Sequence, residues 1–168
     1  MCNKIDVLGV HIDYMDAESS MNRIAEMMKS DRMDMVSVVT MSTLMLARRD
    51  PVWKKYIEDM DLTVIGDDEI LKAADILMGP IKEEVQNNKF IELFFDFMIQ
   101  NQKQIFALGE TKEEVEGLRN YLHNDYPGIQ IVGEAVVQDD ASPEKYMNEI
   151  NSLTVDVIVS GLSGFRQD

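Results

Sequence analysis

The run Asp61-Leu-Thr-Val-Ile-Gly-Asp67-Asp68-Glu69 joins a short apolar strand to three consecutive acids. In a chain of alternating strands and helices, ligands bind just beyond the carboxyl ends of the strands. A carboxylate placed there can take the proton of a hydroxyl group, provided it has reach and a suitable pKa. Asp67 is therefore the candidate general base, and Asp68 beside it adds like-charge repulsion. The same three acids also fit a helix N-cap and first turn. If the oxygens of Asp67 are taken by backbone N–H groups, the base role fails.

Hydroxyls enter at another strand end, where Thr40 and Ser42 follow an apolar run. Thr40 joins Asp67 as a catalytic candidate, and the pair must then face one cleft at the carboxyl edge of the sheet. Two more strand ends carry glycine turns, Gly109-Glu110 and Gly161-Leu-Ser-Gly164. Neither completes GxGxxG, and a lone GxxG is weak support for a phosphate cradle. Asp67 with Asp68 also suggests a magnesium site, as in an acidic receiver or phosphatase-like domain, but the sequence places no acid from another strand end beside the pair. His11 and His123 have no metal spacing, and His11 reads as structural. Cys2 is the sole cysteine and reads as incidental.

These residues need a scaffold, and apolar runs alternating with helical periodicity supply one. Strands are expected at Ile5–Val10, Met35–Val39, Leu62–Ile65, Gln104–Leu108, Ile129–Val132 and Val155–Val159. Asp16 should cap a helix with Met21, Ile24, Met27 and Met28 inward. A helix over Ser42–Arg48 precedes one opened by Asp50-Pro51, in which Trp53, Tyr56 and Ile57 anchor a core. Another covers Glu69–Ile76. A middle helix buries Phe90, Leu93, Phe94, Phe97 and Met98, and Thr111-Lys-Glu-Glu114 forms a capping box. Ser142-Pro143 opens a last helix. The expected class is α/β, a mostly parallel, Rossmann-like sheet with helices on both faces. Residues 1–168 read as a single domain, with a candidate hinge at Gly79-Pro80.

Composition narrows the function. Thirty-one acids against 16 bases give a net charge of −15, which opposes nucleic acid and an anionic bilayer surface. Thirteen methionines suit a plastic core. No signal-peptide run or 18-residue apolar stretch occurs, so a cytoplasmic location is expected. The last strand is followed by only a few residues, which suggests a longer protein.

Taken in order, the strand ends resemble the WecG/TagA/CpsF family of bacterial glycosyltransferases. Val7-Leu-Gly-Val10 with Ile12-Asp13 is similar to its G-V-x-(I/V)-D opening. Thr40-Met-Ser42 with Ala47 and Asp50-Pro51 resembles its T-x-N and A-x-x-D-P elements. Asp61-Leu-Thr-Val-Ile-Gly-Asp67 stands in the place of A-D-L-x-x-P-D-G, so the family aspartate falls at Gly66 or Asp67. Ile105 to Gly109 is similar to V-F-L-L-G-G, with Glu110 for the second glycine. Tyr126 to Gly133 is similar to Y-P-x-L-x-I-V-G, and Asp156 to Asp168 to D-I-L-x-V-G-L-G-x-P-K-Q-E.

The resemblance implies an inverting, metal-independent transferase that needs no cofactor. It would move an N-acetylated amino sugar, of the N-acetylmannosamine type, from a UDP-sugar to a polyprenyl-diphosphate-linked acceptor. The products would be teichoic acid or another surface polysaccharide. Asp67 and Thr40 are the implied catalytic residues. Ser42, Asp68, Gly109, Gly133, Gly161 and Gln167 are the implied substrate contacts. Membrane contact would come only through a C-terminal segment beyond Asp168, at the inner face of the cell membrane, and a homo-oligomer is an open expectation. The alternative is a catalytically inactive sugar-nucleotide-binding or assembly paralogue, which Ser42, Glu110 and the altered P-D-G favour.

Overall fold

The computed structural model describes residues 3–137 and 142–161, so Cys2 and Gln167 lie outside the described residues. The chain is α/β and divides into two compact units, Met1–Leu93 and Phe94–Asp168.

The first unit opens with a hairpin, β1 (Asn3–Val7) antiparallel to β2 (Val10–Tyr14). The sequence pattern had suggested one strand through Val10. Leu8 and Gly9 instead both adopt positive φ, 57° and 84°, the combination that closes a two-residue hairpin with the right twist. Val7, Val10 and Ile12 are fully buried. Asp16 caps α1 (Ala17–Met27), its Oδ1 accepting from Ser19 N at 2.6 Å.

A parallel pair follows, β3 (Val36–Val39) beside β4 (Leu62–Ile65), with Val36 opposite Leu62. The crossover holds α2 (Met41–Arg49) and α3 (Pro51–Glu58). Trp53 is buried and stacks on Tyr56 at 4.8 Å between ring centroids, as core anchors should. All four residues of β4 are buried. A side-chain clasp ties β2 to β4. Asp13 Oδ2 accepts from Thr63 N at 2.9 Å and from Thr63 Oγ1 at 3.1 Å, while Asp13 N donates to Thr63 Oγ1 at 2.7 Å. Both residues are buried, so the mutual bonds satisfy polar groups that would otherwise lose their water.

Beyond β4 come α4 (Asp68–Ala73) and α5 (Pro80–Gln86). The Gly79-Pro80 stretch, read from sequence as a loop, starts this second helix with proline at its first turn. Proline is tolerated there because its missing N–H has no intrahelical partner to lose. Next, α6 (Lys89–Gln100) begins in the first unit and continues into the second. Its most buried residues are Phe95 and Met98. Met98 was expected inward, whereas Phe95 was passed over.

The second unit is built on β5 (Gln104–Gly109), with β6 (Gln130–Val136) and β7 (Val157–Ser160) parallel to it on opposite sides. Between them run α7 (Lys112–Asp125) and α8 (Pro143–Asn151), the latter capped by Ser142. The pairing of β5 with β6 shifts register after Ile105, so that Phe106 faces Gly133. Among the described residues no helix is long and apolar enough to cross a membrane.

Candidate functional site

At the carboxyl edge of the β3–β4 pair, two helices start within a few residues of the strand ends. Thr40 is the N-cap of α2, its Oγ1 accepting from Thr43 N at 3.3 Å and lying 3.0 Å from Thr43 Oγ1. Asp67 is the N-cap of α4, with Oδ1 accepting from Ile70 N at 3.2 Å. Its other oxygen, Oδ2, accepts from Met41 N at 2.7 Å. One carboxylate thus closes the first turn of its own helix and holds the first residue of α2. The negative charge also lies at the positive end of both helix dipoles.

Thr40 and Asp67 are therefore brought together, as the sequence required. The hydrogen bonds of Asp67, however, are those under which its role as base does not stand. Each oxygen already holds a backbone N–H, so the residue is placed as a strut between two helix starts. Four acceptor positions on a carboxylate leave it able to receive further donors.

Gly66 decides which residue can carry a carboxylate here. Its N–H donates to Val39 O at 2.7 Å. A Cβ at this position would stand 2.8 Å from that same carbonyl oxygen and 2.8 Å from Val38 Cγ1. No side chain fits without moving the strand, so of the two positions left open by the resemblance only Asp67 can present an acid.

Asp68 does not sit free beside it. Its Oδ2 accepts from Gln86 Nε2 at 2.9 Å and pairs with Lys72 Nζ at 3.1 Å. The Gln86 hydrogen bond and then Lys72 hold its carboxyl below the ordinary value. Asp68 is thus engaged by its own helix and by α5. Ser42 is exposed at the second position of α2.

In the second unit Gly109 ends β5, and Gly161 N donates to Leu108 O at 3.1 Å beyond the end of β7. These two glycines share the edge where the strand order turns back around β5, the usual binding position in such sheets. A Cβ on Gly109 would meet Val115 Cγ2 at 2.7 Å, so the glycine lets α7 approach the strand. Gly133 differs, since it lies inside β6. A Cβ there would meet Phe106 Cε2 at 2.5 Å, and packing against that ring accounts for it. Gln167 lies outside the described residues.

Sequence reading missed Glu84. From α5 its Oε2 accepts from Ala17 N at 2.8 Å, capping α1 together with Asp16. Glu84 also lines a pocket of about 40 Å3 beside Gly66. Sixty-seven residues separate the bonded pair, and no local pattern announces so distant a cap. Pro80 was the available sign of a helix start. Among the described residues no group of three or more His, Cys, Asp or Glu is placed to hold a metal ion.

A family model described as "Glycosyl transferase WecG/TagA/CpsF family" matches residues 5–168. A search among curated proteins found no match.

Proposed function

Because the chain belongs to the glycosyl transferase WecG/TagA/CpsF family, we propose that it moves an N-acetylated amino sugar, of N-acetylmannosamine type, from UDP to a polyprenyl-diphosphate-linked acceptor. The chain is a glycosyltransferase of this family type, using a sugar-nucleotide donor and an acceptor. The product would enter teichoic acid or another surface polysaccharide, made at the cytoplasmic face of the membrane.

In an inverting transfer the acceptor hydroxyl attacks the anomeric carbon and loses its proton to a base. The bond to the diphosphate breaks, and UDP leaves with the electron pair. The observation that carries this reading is the meeting of Thr40 and Asp67 at one strand edge, through the bond from Met41 N to Asp67 Oδ2. In this reading Asp67 is a positioning residue that fixes the first turns of α2 and α4. Thr40 offers its hydroxyl to the substrate, and exposed Ser42 lies two residues on, in the first turn of α2. Gly109 and Gly161 stand at the ends of β5 and β7 in the second unit.

Comparing Asp67→Asn with Asp67→Ala tests the role. Asparagine can keep one accepted N–H but not both. For a strut, both variants lower Tm together with turnover, and the pH profile of the residual activity keeps its acidic limb. A drop in kcat of about 100-fold or more in Asp67→Asn, with Tm unchanged and that limb lost, would return the base role to Asp67.

The engaged oxygens of Asp67 also favour a second reading, a sugar-nucleotide binder without turnover. Titration with UDP-sugar beside an assay of UDP release separates the two. Tight binding with no UDP released selects the binder.

A further inference from the structure

Helix α5 is fastened differently from the other helices. Each of the other described helices buries at least one side chain, whereas α5 buries none. Ile81 and Val85, about one turn apart, lie half-buried against the core of the first unit. Both ends of α5 are left-handed, with φ of 128° at Gly79 and 53° at Asn88. Such residues interrupt the helical run, and hinges are built from a few positions of this kind at the ends of elements. Gly79 also gives α5 no side-chain cap.

Two polar ties fasten this helix to the elements around the candidate site. Glu84 Oε2 accepts from Ala17 N at 2.8 Å, at the start of α1. Gln86 Nε2 donates to Asp68 Oδ2 at 2.9 Å, in the first turn of α4. Either tie can part without stranding a charge away from water, since Glu84 turns outward and Asp68 keeps Lys72 Nζ at 3.1 Å. Beneath α5 lies the pocket beside Gly66, also lined by Ser20 and Val64, which are 2% and 7% exposed. With α5 down, its volume of about 40 Å3 holds about three water molecules. Small-molecule sites begin at about 300 Å3. Raising α5 joins this space to the strand edge that carries Asp67.

We propose that α5 is a hinged cover over the carboxyl edge of the β3–β4 pair, turning on Gly79 and Asn88 and held shut by Glu84 and Gln86. Its opening is local, because it releases few apolar contacts and leaves the strands in place. The inference holds whichever sugar is transferred.

Native-state hydrogen exchange of the whole chain reads the opening. A helix this short does not persist alone, so its amides exchange once it lifts. Protection at Glu84 to Asn87 and at Ala17 should be about 100-fold or more below that at Ile24 and Leu71. It should also be insensitive to low urea, since little surface is exposed. Glu84→Ala and Gln86→Ala each remove one tie and should speed exchange at the remaining α5 amides by about fivefold. Thiol labelling gives a second reading, in a Cys2→Ser background. Val64→Cys, under the cover, should react at a rate that low urea leaves unchanged. Val10→Cys, fully buried and outside the pocket, should react only through global unfolding. Labelling of Val64→Cys no faster than Val10→Cys overturns the cover, as do α5 amides that follow urea as Ile24 does. Exchange unmoved by both alanine variants overturns the assignment of the ties.

Discussion

Two strand ends in this molecule use the same parts for different ends. After β4 and after β5 a parallel strand runs into a glycine, and a capped helix follows. At β5 the cap closes on itself. Thr111 Oγ1 accepts from Glu114 N at 3.2 Å, and Glu114 Oε2 accepts from Glu110 N and Thr111 N at 2.9 and 3.2 Å. Every bond spans four residues or fewer. At β4 the cap is shared, and Asp67 gives one oxygen to α4 and the other to α2, 26 residues earlier.

The glycines differ in the same sense. Gly109 makes room for a side chain of its own following helix, whereas Gly66 makes room for the backbone of another strand. A local device can be built from a short stretch of chain alone. A shared one exists only when two distant segments have already met, and it then couples them. The edge after β4 is thus a joint between elements, which suits a place where substrate must be held by several at once.

The largest test of this contrast is an added methyl. Gly66→Ala forces Cβ against Val39 O, which cannot rotate away, and should cost about 3 kcal/mol. That corresponds to a fall of roughly 6–12 °C in Tm. Gly109→Ala meets a valine side chain that has some freedom, and should cost about 1–2 kcal/mol. Equal losses in thermal denaturation would mean that the two strand ends are no different in packing.

Removing the caps is the next test. Asp67→Ala loses the α4 cap and also orphans Met41 N–H, for about 2–3 kcal/mol together. Thr111→Ala loses one local cap, about 1 kcal/mol. Urea unfolding of both variants measures the gap. No difference between them would show that the link from Asp67 to α2 carries no energy.

The smallest expected effect is on acid stability, and it lies in the first unit. Asp16 is held below its ordinary value of 3.8 by its bonds with Ser19, and Asp68 by Gln86 and then Lys72. A folded-state value below the unfolded one means stability that is fully present above pH 3.8. That stability is lost as pH falls through the lowered values. Melting followed from pH 5 down to about 2 should therefore show an acid limb, and Asp16→Asn, which still caps but does not titrate, should flatten it. An unchanged limb would assign the acid sensitivity to other groups.

The same contrast explains how much could be read in advance. The capping box at Thr111, the cap at Asp16 and the Ser142-Pro143 start each depend on neighbours in sequence, and each stands where the pattern put it. The strand Leu62–Ile65 was recognisable because a fully buried strand reads as an unbroken apolar run. Other features escaped. The hairpin at Leu8-Gly9 needs a leucine at positive φ, which no residue preference foretells. The inward face of α6 keeps the expected Met98 but seats Phe95, which the pattern had passed over. Helix α5 was passed over because Gly79-Pro80 reads equally as a turn, although the Lys-Glu-Glu-Val-Gln that follows suits a helix.

The site divides along the same line. The sequence alone determined the α/β class, the family and the residue types at the strand ends, because these follow from short-range pattern and from motifs in order. Only the tertiary structure decided that Gly66 cannot carry a side chain, that both oxygens of Asp67 are spoken for, and that Glu84 reaches α1 beside a small pocket. Each of these depends on distances between segments far apart in the chain. Such distances are set by the summed packing of whole elements, which no window of sequence contains.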